Sequence, residues 1–82
     1  MPSLQYVIDT ICASVTVECV YDMIKGLLQQ GHFNKDELLP LIQTKDRSLD
    51  LASARTIANA ALADMELTGQ IKIEEDNIYT PN

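Results

Sequence analysis

Apolar residues recur at helical spacing over most of this chain and change to alternation only near its end. The clearest helical run is 49–68. Leu51, Ala54, Ala58, Ala61 and Met65 return every three or four positions, and Ile57 and Leu62 widen the stripe. The opposite side carries Ala52, Arg55, Thr56, Asn59, Ala63 and Glu66, mostly small or polar. Ser48 or Asp50 offers a side-chain oxygen to the first free amides. Gly69 suits the left-handed residue that closes a helix. Beyond it, Ile71 and Ile73 alternate on one strand and Ile78 and Thr80 on the next, with Glu75, Asp76 and Asn77 between them as turn formers.

The first thirty residues carry two helical stripes. Leu4, Val7, Ile8 and Ile11 form one, and Cys19, Val20, Met23, Ile24, Leu27 and Leu28 form the other. Between them, Ser14-Val15-Thr16-Val17 predicts a break, because β-branched residues are mediocre helix formers and either hydroxyl can cap a new helix. Gly31 ends the second helix and leaves His32 in a loop. Asn34 and Glu37 then have capping-box spacing, with Phe33 and Leu38 placed as the accompanying hydrophobic staple. Pro40 predicts a kink or an early irregularity in the short helix that follows. Residues 43–49 read as a polar connection. The whole is mainly α with a small β-hairpin, an α+β protein in one domain over residues 1–82.

Composition narrows the class. At 82 residues the core is small, and dimerisation is a common way for such a chain to gain burial. Twelve acidic against six basic residues give a net charge of −6, which opposes nonspecific binding to nucleic acid or anionic lipid. On one continuous helix Cys12 and Cys19 would lie about 10 Å apart along the axis, too far for a disulfide. That reading makes them buried thiols in a reducing compartment; a helix break between them removes the distance restriction. No basic segment precedes an apolar run and no run reaches spanning length, so the expectation is a soluble, cytoplasmic protein with no membrane partner.

From Thr16 to Pro81 the order of elements resembles the winged helix-turn-helix superfamily. Residues 34–43 match the first helix of the turn motif and 49–68 the recognition helix. Leu67-Thr68-Gly69-Gln70-Ile71 with Tyr79 is similar to the usual entry into the wing. Residues 15–82 would form the winged helix, and 1–14 an extra helix. By analogy with small dimeric members, Leu4, Val7, Ile8 and Ile11 would supply a dimer interface.

In DNA-binding members the recognition helix enters the major groove. The resemblance therefore implies that Ala52, Ser53, Arg55, Thr56 and Asn59 face base edges, with Arg55 suited to guanine and Asn59 to adenine. Lys35, Lys45 and Arg47 would contact phosphates. Glu74, Glu75 and Asp76 depart from the usual basic wing, and from Asn34 onward five basic residues face nine acidic ones. The alternative is a module that binds a protein with a basic surface. Ala52, Ala60 and Ala63 would keep its long helix low enough for close contact.

Enzymatic chemistry has little support. The single histidine, His32, has no evident nucleophile beside it. Cys12, Cys19 and His32 lack zinc-site spacing, and three scattered glycines make no phosphate loop. No cofactor is expected. The reading is a non-enzymatic regulator, DNA-binding in transcription or, alternatively, protein-binding.

Overall fold

A computed structural model describes residues 3–11, 13–75 and 78–82. The order is α1 (Leu4–Ile11), α2 (Val17–Leu28), β1 (Phe33–Asn34), a 3-10 turn (Lys35–Glu37), α3 (Leu38–Lys45), α4 (Leu51–Leu67), β2 (Ile71–Glu75) and β3 (Ile78–Pro81). The chain is mainly helical with one small antiparallel sheet.

Local chemistry sets the boundaries. Thr16 caps α2 by accepting the Cys19 N–H at 3.0 Å. The capping box forms: the Asn34 amide oxygen accepts the Asp36 N–H at 2.9 Å, and Glu37 accepts the Asn34 N–H at 2.7 Å. Phe33 and Leu38 flank it, both fully buried. The turn so started is 3-10 and becomes α-helical at Leu38. Pro40 thus lies in the first turn of α3, where its missing N–H breaks no helical bond, and the expected irregularity falls just ahead of it. Asp50 caps α4 by accepting the Ser53 N–H at 2.7 Å. Gln70 N–H to Met65 C=O at 2.9 Å and Gly69 N–H to Glu66 C=O at 3.1 Å close α4 as a Schellman motif. Gly69 has φ +79° and Gly31, after α2, has φ +104°.

Helix α4 is the hub, packing against α1, α2, α3 and β2. Its inward stripe is Ala54, Ile57, Ala58, Ala61, Leu62 and Met65, as the periodicity predicts. Leu51 does not join them; it is 50 % exposed, and Leu49 is buried in its place. The reason lies at the cap. Leu49 precedes Asp50 and occupies the staple position against Ala54, whereas Leu51 lies in the first turn, in phase with the stripe yet uncovered. Ala60 is buried and Ala63 half-buried, so the low outer surface expected from Ala52, Ala60 and Ala63 is not formed.

The sheet has three strands in the order β1-β3-β2, all pairs antiparallel. The third strand, β1, is only two residues long, too short to leave a period in the sequence. Phe33 pairs with Tyr79 and Tyr79 with Ile73, which places these three on one face. The Phe33 and Tyr79 rings stack at 5.7 Å and 23°. The inward residue of β3 is therefore Tyr79, while Ile78 and Thr80 are only half-buried. On β2, Ile71 is buried and Ile73 is 48 % exposed. The register shifts between Ile73 and Glu75. Of the expected turn, Asp76 and Asn77 lie outside the described residues.

Helix α1 turns its apolar side inward and leaves Gln5, Tyr6, Asp9 and Thr10 exposed. Leu4, Val7 and Ile8 are buried in the core that all the helices share, and Ile11 packs on its margin. Of the four side chains expected at a dimer interface, Leu4, Val7 and Ile8 are covered within one chain, mainly by α4, and Ile11 is half-buried. Asp64 of α4 accepts the Leu4 N–H at 3.4 Å and the Tyr21 hydroxyl at 3.3 Å, fixing the start of α1. Burial first, then the Asp64 charge, raises the Tyr21 pKa.

Candidate nucleic-acid interface

The outer face of α4 runs along Ala52, Arg55, Thr56 and Asn59, all exposed. Arg55 and Asn59 stand one turn apart on a helix held from behind by seven buried side chains. Thr56 donates its hydroxyl to the Ala52 carbonyl at 3.0 Å, which binds it to its own helix. Ser53 is half-buried and engaged at the Asp50 cap.

A further residue joins this face from outside α4. The Lys35 ammonium donates to the Asn59 amide oxygen at 2.9 Å. An ammonium has donors only, so the Asn59 amide must turn its oxygen to Lys35 and its NH2 away. Lys35 is thus drawn across to α4, while the second lone pair of the Asn59 oxygen and its NH2 remain open. Sequence spacing holds no sign of the pair, whose members are 24 positions apart.

Lys45 ends α3 and Arg47 lies in the turn before α4, both exposed. Between them, Asp46 is buried at 7 % exposure. Its carboxylate accepts the Ser14 N–H at 2.6 Å, the Ser48 N–H at 3.0 Å and the Ser48 hydroxyl at 2.5 Å. Ser48 first, then the Ser14 and Ser48 backbone donors, hold the Asp46 pKa below its ordinary value against the opposing effect of burial. The polar connection is thus a stitched turn with Lys45 and Arg47 exposed on it. The Asp46-Arg47-Ser48 spacing fits an Asx turn, which is the signal that could have marked it. The tie to Ser14 leaves no such signal.

The anionic groups are also placed. The Asp50 carboxylate, kept below its ordinary pKa chiefly by the Ser53 N–H, occupies the N-terminal cap of α4. It fills the position where a helix dipole would otherwise favour a phosphate. Asp36 and Glu37 are exposed at the capping box, and Glu74 and Glu75 at the far end of β2.

His32 and Cys19 lie on separate elements, His32 exposed and Cys19 half-buried. Cys12 lies outside the described residues. Because α1 and α2 are separate helices, the distance restriction on Cys12 and Cys19 lapses. Among the described residues no group of three or more His, Cys, Asp and Glu side chains is arranged to hold a metal ion. No helix among them is long and apolar enough to cross a membrane. Comparison with protein-family models, curated proteins and solved structures finds no match.

Proposed function

We propose that this protein is a winged helix-turn-helix regulator that binds DNA through α4 and performs no catalysis. Support for the fold comes from the placement of β1 ahead of α3 and the strand order β1-β3-β2, which gives α4 a flanking hairpin. The observation that carries the function is the exposed row of Arg55 and Asn59 on α4, with Lys35 against it. In this reading α4 enters the major groove, Arg55 forks onto guanine O6 and N7, and Lys45 and Arg47 hold phosphates beside the groove. The exposed Glu74 and Glu75 keep the hairpin tip away from the backbone, so phosphate contacts are few and the salt dependence is shallow.

Selection from a random oligonucleotide pool at low salt should enrich one sequence, and Arg55→Ala should relax the choice at one base. Lys45→Ala should weaken binding evenly across sequences and lower the salt slope by about 1. Failure to retain any duplex even at low salt would remove this function.

A second reading is favoured by one specific arrangement. Carboxylates stand at the α4 cap (Asp50), at the capping box (Asp36, Glu37) and on β2 (Glu74, Glu75). That distribution suits a basic protein surface better than a phosphate backbone. Pull-down from native lysate, assayed for both classes of molecule, separates the two. A stoichiometric protein partner recovered without DNA decides for protein binding.

A further inference from the structure

We infer that strand β2 pairs edge to edge with the β2 of a second copy of this chain, antiparallel and centred on Ile73. The inference goes beyond the DNA-binding proposal and does not depend on it.

Strand β3 lies between β1 and β2, so β2 is an edge of the sheet. Lys72, Ile73, Glu74 and Glu75 are all exposed along it, Ile73 to 48 %. An open edge carrying an exposed apolar residue is a template for another strand. The ladder fixes which backbone groups are free there. Asn82 donates its N–H to the Gln70 carbonyl at 3.2 Å, which makes these two a hydrogen-bonded pair. Bonded and non-bonded pairs alternate along an antiparallel ladder. Lys72 is therefore bonded to Thr80, whereas Ile71 opposite Pro81 and Ile73 opposite Tyr79 are non-bonded pairs. Pro81, which has no N–H to give, fits that phase. At Ile73 the N–H and C=O accordingly point out from the edge, away from β3.

Two-fold pairing about Ile73 lets the two copies exchange both of these bonds and sets one exposed isoleucine against the other. It also places Lys72 of each copy directly opposite Glu74 of the other. Those residues form a non-bonded pair of the new ladder, where cross-strand side chains come closest. Charge selects this register. Centring on Lys72 would oppose lysine with lysine, and centring on Glu74 would oppose glutamate with glutamate, both destabilising. The register shift after Ile73 bends the strand and confines the contact to Lys72, Ile73 and Glu74. The dimer is therefore weak and concentration-dependent, with one continuous sheet in the order β1-β3-β2-β2-β3-β1.

Sedimentation of the full chain over a wide concentration range tests this by exchanging the charges. The parent should pass from monomer to dimer as concentration rises. Lys72→Glu or Glu74→Lys alone should raise the dimer dissociation constant by roughly tenfold or more, because symmetry repeats each change twice. The double variant Lys72→Glu with Glu74→Lys should restore it. An equimolar mixture of the two single variants should form a heterodimer, since each then supplies the charges the other lacks. All three positions are exposed, so far-ultraviolet circular dichroism of each variant should match the parent. A parent that stays monomeric at the highest concentration reached would overturn the inference. So would a dimer indifferent to either single change, or one that neither the double variant nor the mixture recovers. None of these outcomes bears on duplex binding, which the oligonucleotide selection tests separately.

Discussion

Asp46 shows how one side chain can join distant parts of a small fold. It draws the loop between α1 and α2 onto the turn between α3 and α4 through Ser14, 32 positions away. Because the folded state holds this carboxylate below its ordinary pKa of 3.8, its contribution to stability is present above that value. The contribution is lost as pH falls from there through the depressed folded pKa. Asp50, lowered chiefly by the Ser53 N–H, has the same sign. Urea midpoints of the parent should therefore drop on acidification. Asp46→Asn should be less stable at neutral pH and show a smaller acid drop; an equal drop in both proteins would show that Asp46 does not contribute to it. At the same scale, the sequence offered Asn59 as an exposed helix residue, and the fold sets the Lys35 ammonium against its amide oxygen.

Among the elements, the two helix ends make different demands on glycine. Gly69 adopts φ +79° inside the Schellman motif, and a Cβ there would meet only the Asn82 side-chain nitrogen at 3.8 Å, an ordinary contact. Gly69→Ala should destabilise by about 1–2 kcal/mol, purely from the left-handed backbone. Gly26 lies within α2, exposed, with nothing within 4 Å of an added Cβ. Gly26→Ala should stabilise by about 0.5–1 kcal/mol. Urea unfolding of both variants checks the pair, and equal signs would contradict it. Gly69 and the Asn34–Glu37 box were legible because their partners lie within a few residues. Strand β1 was not, because two residues have no period and its pairing with β3 spans the domain.

For the whole molecule, the placement of α1 changes what dimerisation can use. Ile8 is 3 % exposed inside the chain's own core. Ile8→Ala should lower unfolding free energy by about 2–5 kcal/mol. Ile8→Asp should lose the fold altogether, since a charge would be buried without a partner. Sedimentation and circular dichroism check this together. A well-folded monomer carrying Ile8→Asp, from a parent that sediments as a dimer, would contradict the burial of Ile8 within one chain and restore its face as a contact between copies.

By itself the sequence marked the caps and closing glycines of the helices and which side of α4 turns inward. Caps, glycine backbone and 3.6-residue periodicity all act over a few neighbouring positions. Only the tertiary structure decided that Leu49 is buried and Leu51 is not, that Tyr79 faces inward from β3, and that Leu4, Val7 and Ile8 are internal. It alone joined Asp46 to Ser14, Asp64 to Leu4 and Lys35 to Asn59. Those outcomes depend on where one element ends against another and on partners 24 to 60 positions away, which no local pattern encodes.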